Sequence, residues 1–466
     1  MKLLIIRLQI LFIILLAFSP LLYLGYKKLS PQLALYQFDY NQKLDPTVSP
    51  LKTNGRKVVD QNNNPVILRG INLISTNWGG NYLTWNAKAI ERAKKDWQIN
   101  VVRTRVYQHE YEENSAEFFL KLEEQILNPA RENGLYVILH PWFTDNSSLP
   151  NQNGIKMWLS IANRYKNDPH IIYDLLAEPR DISFSDLSST YNTLIPQVRA
   201  ISPNSLIMVT GLDWGRDINA WLDQPLNFNN IVYRSNPYNK TAEFPGFFGR
   251  IAEVYPVFLG EFGTMDKLSM SLTDVKNILA YASKLELGWT AWHYTSTGCP
   301  CLLSDESTFT PSPYGELVKQ ALISPMDSSF VLPAFETDPN KLVVYTDFLD
   351  SGFADYSWGS PLTLGTTIST NLTSGSGINL NTSRRLDPSI YKTLHLNLSA
   401  NNPESLTLRF KSYDGALSRT YSLTSGDNTL NTIDSGLTSI SGIIIESSGT
   451  IPDPTPLTLD NLYFTR

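Results

Sequence analysis

At 466 residues the chain exceeds one ordinary hydrophobic core and calls for two folded domains, one of them large. A net charge of −6 gives no basic footprint, which excludes nucleic acid as a partner and any strong attraction to acidic polymers, and leaves a neutral ligand as the better fit. With two cysteines, Cys299 and Cys301, no disulfide framework carries the fold, and their Cys-Pro-Cys spacing leaves open a strained local bridge or two free thiols.

In chain order, Lys2 and Arg7 precede an apolar run from Leu8 to Tyr26, and Lys27 and Lys28 follow it. This reads as an export segment whose length lies between a cleaved signal peptide and a membrane anchor. Cleavage after Ala17-Phe18-Ser19 would place Pro20 just past the cut, which favours the anchor. Either way the rest of the chain is expected outside the cytoplasm, extracellular or membrane-anchored. Residues 29–50 read as a linker.

From 51 to 323, strand-like apolar runs alternate with amphipathic stretches, the pattern of repeated βα units. The runs are Pro65 to Leu73, Ile99 to Val106, Leu135 to His140, Ile171 to Ala177, Ser205 to Thr210, Ile231 to Ser235, Pro256 to Gly260 and Gly288 to Trp292. Helices are expected between them, for example at Ala87 to Trp97, Ala116 to Asn133, Ile155 to Tyr165, Leu187 to Ile201 and Leu272 to Leu285, with Tyr314 to Leu322 closing the set. The weakest is Ala242 to Val254, interrupted by Pro245 and Gly246. Eight strands and eight helices predict a (β/α)8 TIM barrel. A doubly wound open sheet is the alternative, but no Gly-x-Gly-x-x-Gly turn follows an early strand, so no dinucleotide site and no cofactor are expected. Residues 324–340, with Pro, Ser and Asp, form a second linker, and 341–466 carry short alternating runs that predict an all-β jelly-roll sandwich.

Two glutamates end apolar runs: Glu178 in Leu-Leu-Ala-Glu-Pro-Arg and Glu261 in Val-Phe-Leu-Gly-Glu-Phe-Gly. In a barrel both lie at C-terminal strand ends, where catalytic groups collect. Two carboxylates across the mouth suit a retaining glycosidase, which needs an acid for the leaving oxygen and a nucleophile for the anomeric carbon about 5–5.5 Å away. A buried ion pair or a helix cap is the plainer reading of either residue alone. No metal site is expected, because the histidines lack ligand spacing, and no Gly-x-Ser-x-Gly elbow supports an ester hydrolase.

These motifs, with Leu68-Arg69-Gly70-Ile71-Asn72, Asn100-Val101-Val102-Arg103, Tyr233 to Tyr238, Trp289 to Trp292 and Thr310 to Gly315, resemble glycoside hydrolase family five, the clan A cellulase family, over about 57 to 322. The resemblance implies Glu178 as general acid/base, Glu261 as nucleophile, Arg103 and Tyr238 as the groups holding Glu261 ionised, and Trp292 as the sugar platform. It adds Asn236 at the family's strand-six His position and His140 or Trp142 at its strand-three His position as substrate-binding residues. Trp78, Trp142 and Trp214 lie just past strand ends, and one of them is expected to touch sugar. Ala177 departs from the family's Asn, whose amide binds the sugar 2-hydroxyl. The expected function is therefore hydrolysis of a β-linked glucan or mannan by a monomer. The alternative is a weakened barrel that binds carbohydrate or serves as a scaffold. The C-terminal residues Thr458 to Phe464 and Asp355 to Trp358 resemble carbohydrate-binding jelly rolls, with Trp358 either stacking on glycan or packed inward.

Overall fold

The computed structural model describes residues 48–73, 82–222, 224–264, 270–298, 300–324, 326, 338, 340–447 and 454–466, with backbone only at 82–85. The N-terminal apolar run, Trp78, Cys299 and most of the second linker lie outside the described residues. Cys301 is disulfide-bonded, which decides for the bridge over free thiols. Among the described residues no helix is long and apolar enough to cross a membrane.

Eight parallel strands close into a barrel: β1 (Arg69–Asn72), β2 (Val101–Tyr107), β3 (Tyr136–Trp142), β4 (Ile171–Asp174), β5 (Ile207–Thr210), β6 (Ile231–Ser235), β7 (Val257–Leu259) and β8 (Gly288–Ala291). Closure comes from β8 pairing with β1, with Trp289 opposite Arg69 and Ala291 opposite Ile71. Strand side chains alternate between faces, so the inward set reads in layers. Val101, Ile138, Ile172, Met208, Val232 and Phe258 form a buried apolar plug at the N-terminal end. A hairpin, Lys52–Asn54 with Lys57–Val59, covers this end, and Leu51 joins the plug. Two residues further along β2, β3, β4 and β6 the inward positions become Arg103, His140, Asp174 and Arg234, all fully or almost fully buried.

The outer helices begin where local chemistry allows. Ser183 and Ser271 cap Phe184–Ile201 and Leu272–Leu285 through reciprocal bonds with Asp186 and Asp274. Ser312 caps Pro313–Ile323, with proline at the first helical position. Two expectations need correction. No α-helix follows β5 among the described residues. A 3₁₀ turn, Asn219–Leu222, stands there, and its fully buried Trp221 packs on Tyr191 and Tyr233 while its indole donates to the Thr210 carbonyl at 2.9 Å. One large ring thus covers strand surface that a helix would otherwise cover. The sixth helix is short turns, Thr241–Glu243, Pro245–Gly249 and Arg250–Ala252, because Pro245 lacks a donor and Gly246 lies against the Leu349 carbonyl.

The C-terminal residues form two antiparallel sheets. Phe353–Asp355, Gly377–Leu386, Ile440–Ser447, Leu406–Lys411 and Tyr421–Ser422 make one. The other centres on Thr455–Thr465, flanked by Thr393–Ala400 and by both Lys341–Tyr345 and Ile368–Leu372. Their facing side chains, among them Leu380, Leu396, Phe410, Ile443 and Phe464, form a core separate from the barrel's. Trp358 is 39% exposed, its indole donates to the Gly375 carbonyl, and its ring covers Gly377.

Candidate active site

The barrel mouth is organised around a fully buried carboxylate, Asp174, gripped by two fully buried guanidinium groups. Arg103 reaches one oxygen at 3.0 Å and Arg234 reaches the same oxygen, also at 3.0 Å. Arg103 extends past it to Glu261, with Nη1 2.6 Å from Oε1. Asn72 fixes the same guanidinium by accepting from Nη1 at 3.0 Å, and its own amide donates to the Gly260 carbonyl at 2.9 Å. Two cations thus face two anions when Glu261 is ionised, which satisfies buried charges that would otherwise carry a large desolvation cost.

Gly260 has a definite reason to precede Glu261. A Cβ there would lie 2.4 Å from Arg234 Cδ and 2.8 Å from Asn236 Oδ1, so any side chain would displace both. The Tyr238 hydroxyl donates to the other oxygen of Glu261 at 3.4 Å. Burial alone would raise the Glu261 carboxyl, but the charge of Arg103, with Arg105 and Arg234, holds it below the usual carboxylate range.

Glu178 sits in the opposite environment. Burial first, and then the negative charge of Glu261, push it up to about 7, against weaker lowering by Arg105, Asn236 and Arg234. Its Oε1 accepts from the Asn236 amide at 3.0 Å. Asn236 Oδ1 in turn accepts from Arg234 Nη1 at 2.8 Å, while Arg234 Nη2 donates to the Leu176 and Ala177 carbonyls, each at 2.6 Å. One guanidinium therefore orients the amide that holds Glu178 and ties down the segment after β4 that carries it. Two carboxylates near one another with pKa values pushed apart are equipped for acid and nucleophile roles.

His140 is buried and neutral, since burial and then the charges of Arg103, Arg105 and Arg234 hold it well below its ordinary value. Trp142 and Trp292 are partly exposed at the mouth. Between them lies Arg105, its guanidinium carbon 4.4 Å from the Trp142 ring centre and 5.5 Å from that of Trp292. The structure thus gathers Arg103, His140, Trp142, Asn236, Tyr238 and Trp292 with both glutamates at the C-terminal end of one barrel. Asp174, Arg234 and Arg105 were not singled out from sequence. For Asp174 and Arg234 the available signal was a charged residue two positions after an inward apolar one, Ile172 and Val232; for Arg105 it was the two-residue spacing from Arg103 on the same strand.

The family model Cellulase (glycosyl hydrolase family 5) matches residues 59–298, about half of the chain. Endoglucanase A of Butyrivibrio fibrisolvens is 29% identical over 229 residues, 46% of this chain and 52% of the relative. Endoglucanase E-5 of Thermobifida fusca is 26% identical over 258 residues, 52% of this chain and 54% of the relative. The chain spans about half the length of these curated relatives. Among solved structures, the β-glucanase SdGluc5_26A of Saccharophagus degradans superposes with a TM-score of 0.53 at 21% identity, covering 62% of this chain and 98% of that one, a likeness of fold. With the closed parallel barrel and the family match in agreement, the chain belongs to glycosyl hydrolase family 5.

Proposed function

We propose that the protein hydrolyses β-linked glucan chains with retention of configuration, with Glu261 as nucleophile and Glu178 as acid/base. The observation that carries this reading is the opposite tuning of the two carboxyls, one held down by Arg103 and the other raised to about 7. In the first step the ionised Glu261 attacks the anomeric carbon while Glu178 delivers its proton to the leaving oxygen, so one C–O bond forms as the other breaks. In the second, Glu178 takes a proton from water, the oxygen of that water attacks the same carbon, and Glu261 leaves ionised. The partly exposed rings of Trp292 and Trp142, with Arg105 between them, are the sugar contacts in this reading, and Tyr238 stays protonated because burial, then the charges of Glu261 and Glu178, raise its hydroxyl. The names of the related endoglucanases support a glucan over a mannan.

The barrel, 51–323, is the proposed catalytic domain and 341–466 the proposed carbohydrate-binding domain, acting outside the cytoplasm as a monomer. A second reading, a barrel that binds glycan without turnover, draws on Ala177, which has no amide for a sugar 2-hydroxyl. Assay of the purified protein on cellulose, mixed-linkage glucan, mannan and xylan separates the two. Release of reducing ends, abolished in Glu178→Gln and in Glu261→Gln, supports hydrolysis; glycan binding without turnover supports the second reading.

A further inference from the structure

The β-sandwich is joined to the barrel by buried contacts, and a cleft opens where the two meet. Arg384 grips the fully buried Asp217 through Nε at 2.9 Å and Nη2 at 3.1 Å, and Arg250 pairs with the buried Asp350 at 2.7 Å. The Gly352 amide donates to the Gly246 carbonyl at 3.0 Å. Neither glycine has room for a side chain: a Cβ on Gly246 would lie 2.7 Å from the Leu349 carbonyl oxygen, and one on Gly352 would lie 2.5 Å from Asp217 Oδ2. Backbone contact of this kind fixes the sandwich in one orientation.

Beside this junction lies a cleft of about 220 Å³, lined from the barrel by Arg180, Asp181 and Trp214 and from the sandwich by Tyr356, Lys411 and Tyr413. It begins two residues past Glu178. Trp214 and Tyr356 are 46% and 47% exposed, high for rings of their size. The Trp214 backbone is held at φ 60°, beside Asp213 at 55°, by a bond from its amide to the Pro179 carbonyl at 3.0 Å. Two successive non-glycine residues in left-handed conformation cost about 1 kcal/mol or more each and persist only where the surroundings impose them. Here the left-handed turn places a tryptophan in the cleft lining, with the Arg180 guanidinium 4.4 Å from its ring centre. The Tyr413 hydroxyl bonds Asp181 from the sandwich side at 2.8 Å.

We propose that this two-domain cleft binds the leaving-group end of the glycan chain, so that the sandwich forms a wall of the substrate groove. The inference rests on Glu178 being the acid. The barrel order places β4 and β5 opposite β8. A chain whose reacting sugar sits at Trp292 after β8, and whose bond oxygen meets Glu178 after β4, leaves the mouth over the β4 and β5 loops and enters the cleft. Flat rings with a polar rim suit sugar faces and hydroxyls. The charged lining residues balance, Arg180 and Lys411 against Asp181 and Asp213, which fits a neutral chain better than an anionic one.

The test compares cellohexaose, long enough to reach the cleft, with 4-nitrophenyl β-cellobioside, whose leaving group is a small phenol. In the double variant Tyr356→Ala/Tyr413→Ala, KM for cellohexaose rises about tenfold while kcat/KM on the aryl substrate stays within about twofold. Ser383 also lines the cleft from the sandwich, so Ser383→Trp, which fills it, has the same effect, and Tyr413→Phe, which keeps the ring, stays near the parent. Melting temperatures and aryl activity show that each variant is folded. Unchanged cellohexaose KM in both the double variant and Ser383→Trp overturns the proposal. If the parent turns over neither substrate, hydrolysis is the reading that fails, and calorimetric titration judges the cleft: weaker cellohexaose binding by the double variant supports it, and equal binding overturns it.

Discussion

Glu178→Gln is predicted to stabilise the fold as pH rises while removing activity. The carboxyl titrates from an ordinary value of 4.5 to about 7 in the folded chain, chiefly through burial. Between those values the folded state holds a proton that the unfolded state has lost, so folding stability falls as pH increases through this window. At about 1.4 kcal/mol per unit, the parent loses about 3 kcal/mol between pH 4 and pH 8.5 through this group alone. Glutamine does not titrate, and its carbonyl can accept from the Asn236 amide as Oε1 now does. The assay is urea unfolding of parent and variant at both pH values. Comparing the two differences cancels whatever constant offset the amide introduces. The expected result is a variant that gains about 3 kcal/mol relative to the parent on going from pH 4 to 8.5. A difference independent of pH, or one favouring the parent at high pH, would refute the argument that Glu178 is held protonated by its surroundings.

Asn236→Leu, nearly isosteric, removes the amide that favours the ionised form of Glu178, so the alkaline limb of kcat/KM should move up by about half to one unit. A pH–rate profile with that limb unmoved or lowered counts against the relay from Arg234. Arg103→Met leaves Asp174 with Arg234 but takes the ion pair from Glu261, at a cost of about 3–5 kcal/mol. Its acid limb should rise, since the nucleophile must be ionised, and denaturant unfolding with the pH profile reads both effects. Gly352→Val should split the calorimetric melting into separate barrel and sandwich transitions, because the added carbons would meet Asp217. A single unshifted transition would show that the close contact at Gly352 is not what couples the domains.

Much of the barrel was legible because its strands are buried on both faces and read as uninterrupted apolar runs; the run at Ile231–Ser235 matches β6 residue for residue. The glutamates stood out because each ends such a run. Asp174 was hidden for the same reason: inside Ile-Ile-Tyr-Asp-Leu-Leu it looks like part of a strand, and its meaning appears only when closure brings Arg103 and Arg234 to it from β2 and β6. The turn after β5 was illegible because a single tryptophan, Trp221, covers the strands where a helix was expected. The junction depends on contacts between residues 100 or more apart, such as Gly246 with Gly352 and Asp217 with Arg384, which no local pattern announces.

The division of labour between Glu178 and Glu261 is tested most directly by trapping the covalent intermediate. Incubation with a 2-deoxy-2-fluoro cellobiosyl fluoride slows the second step more than the first, so a glycosyl-enzyme accumulates and can be mapped by peptide mass spectrometry. The account predicts one added disaccharide, attached to Glu261. An adduct on Glu178, or hydrolysis of the natural substrate with inversion and no adduct, would contradict it.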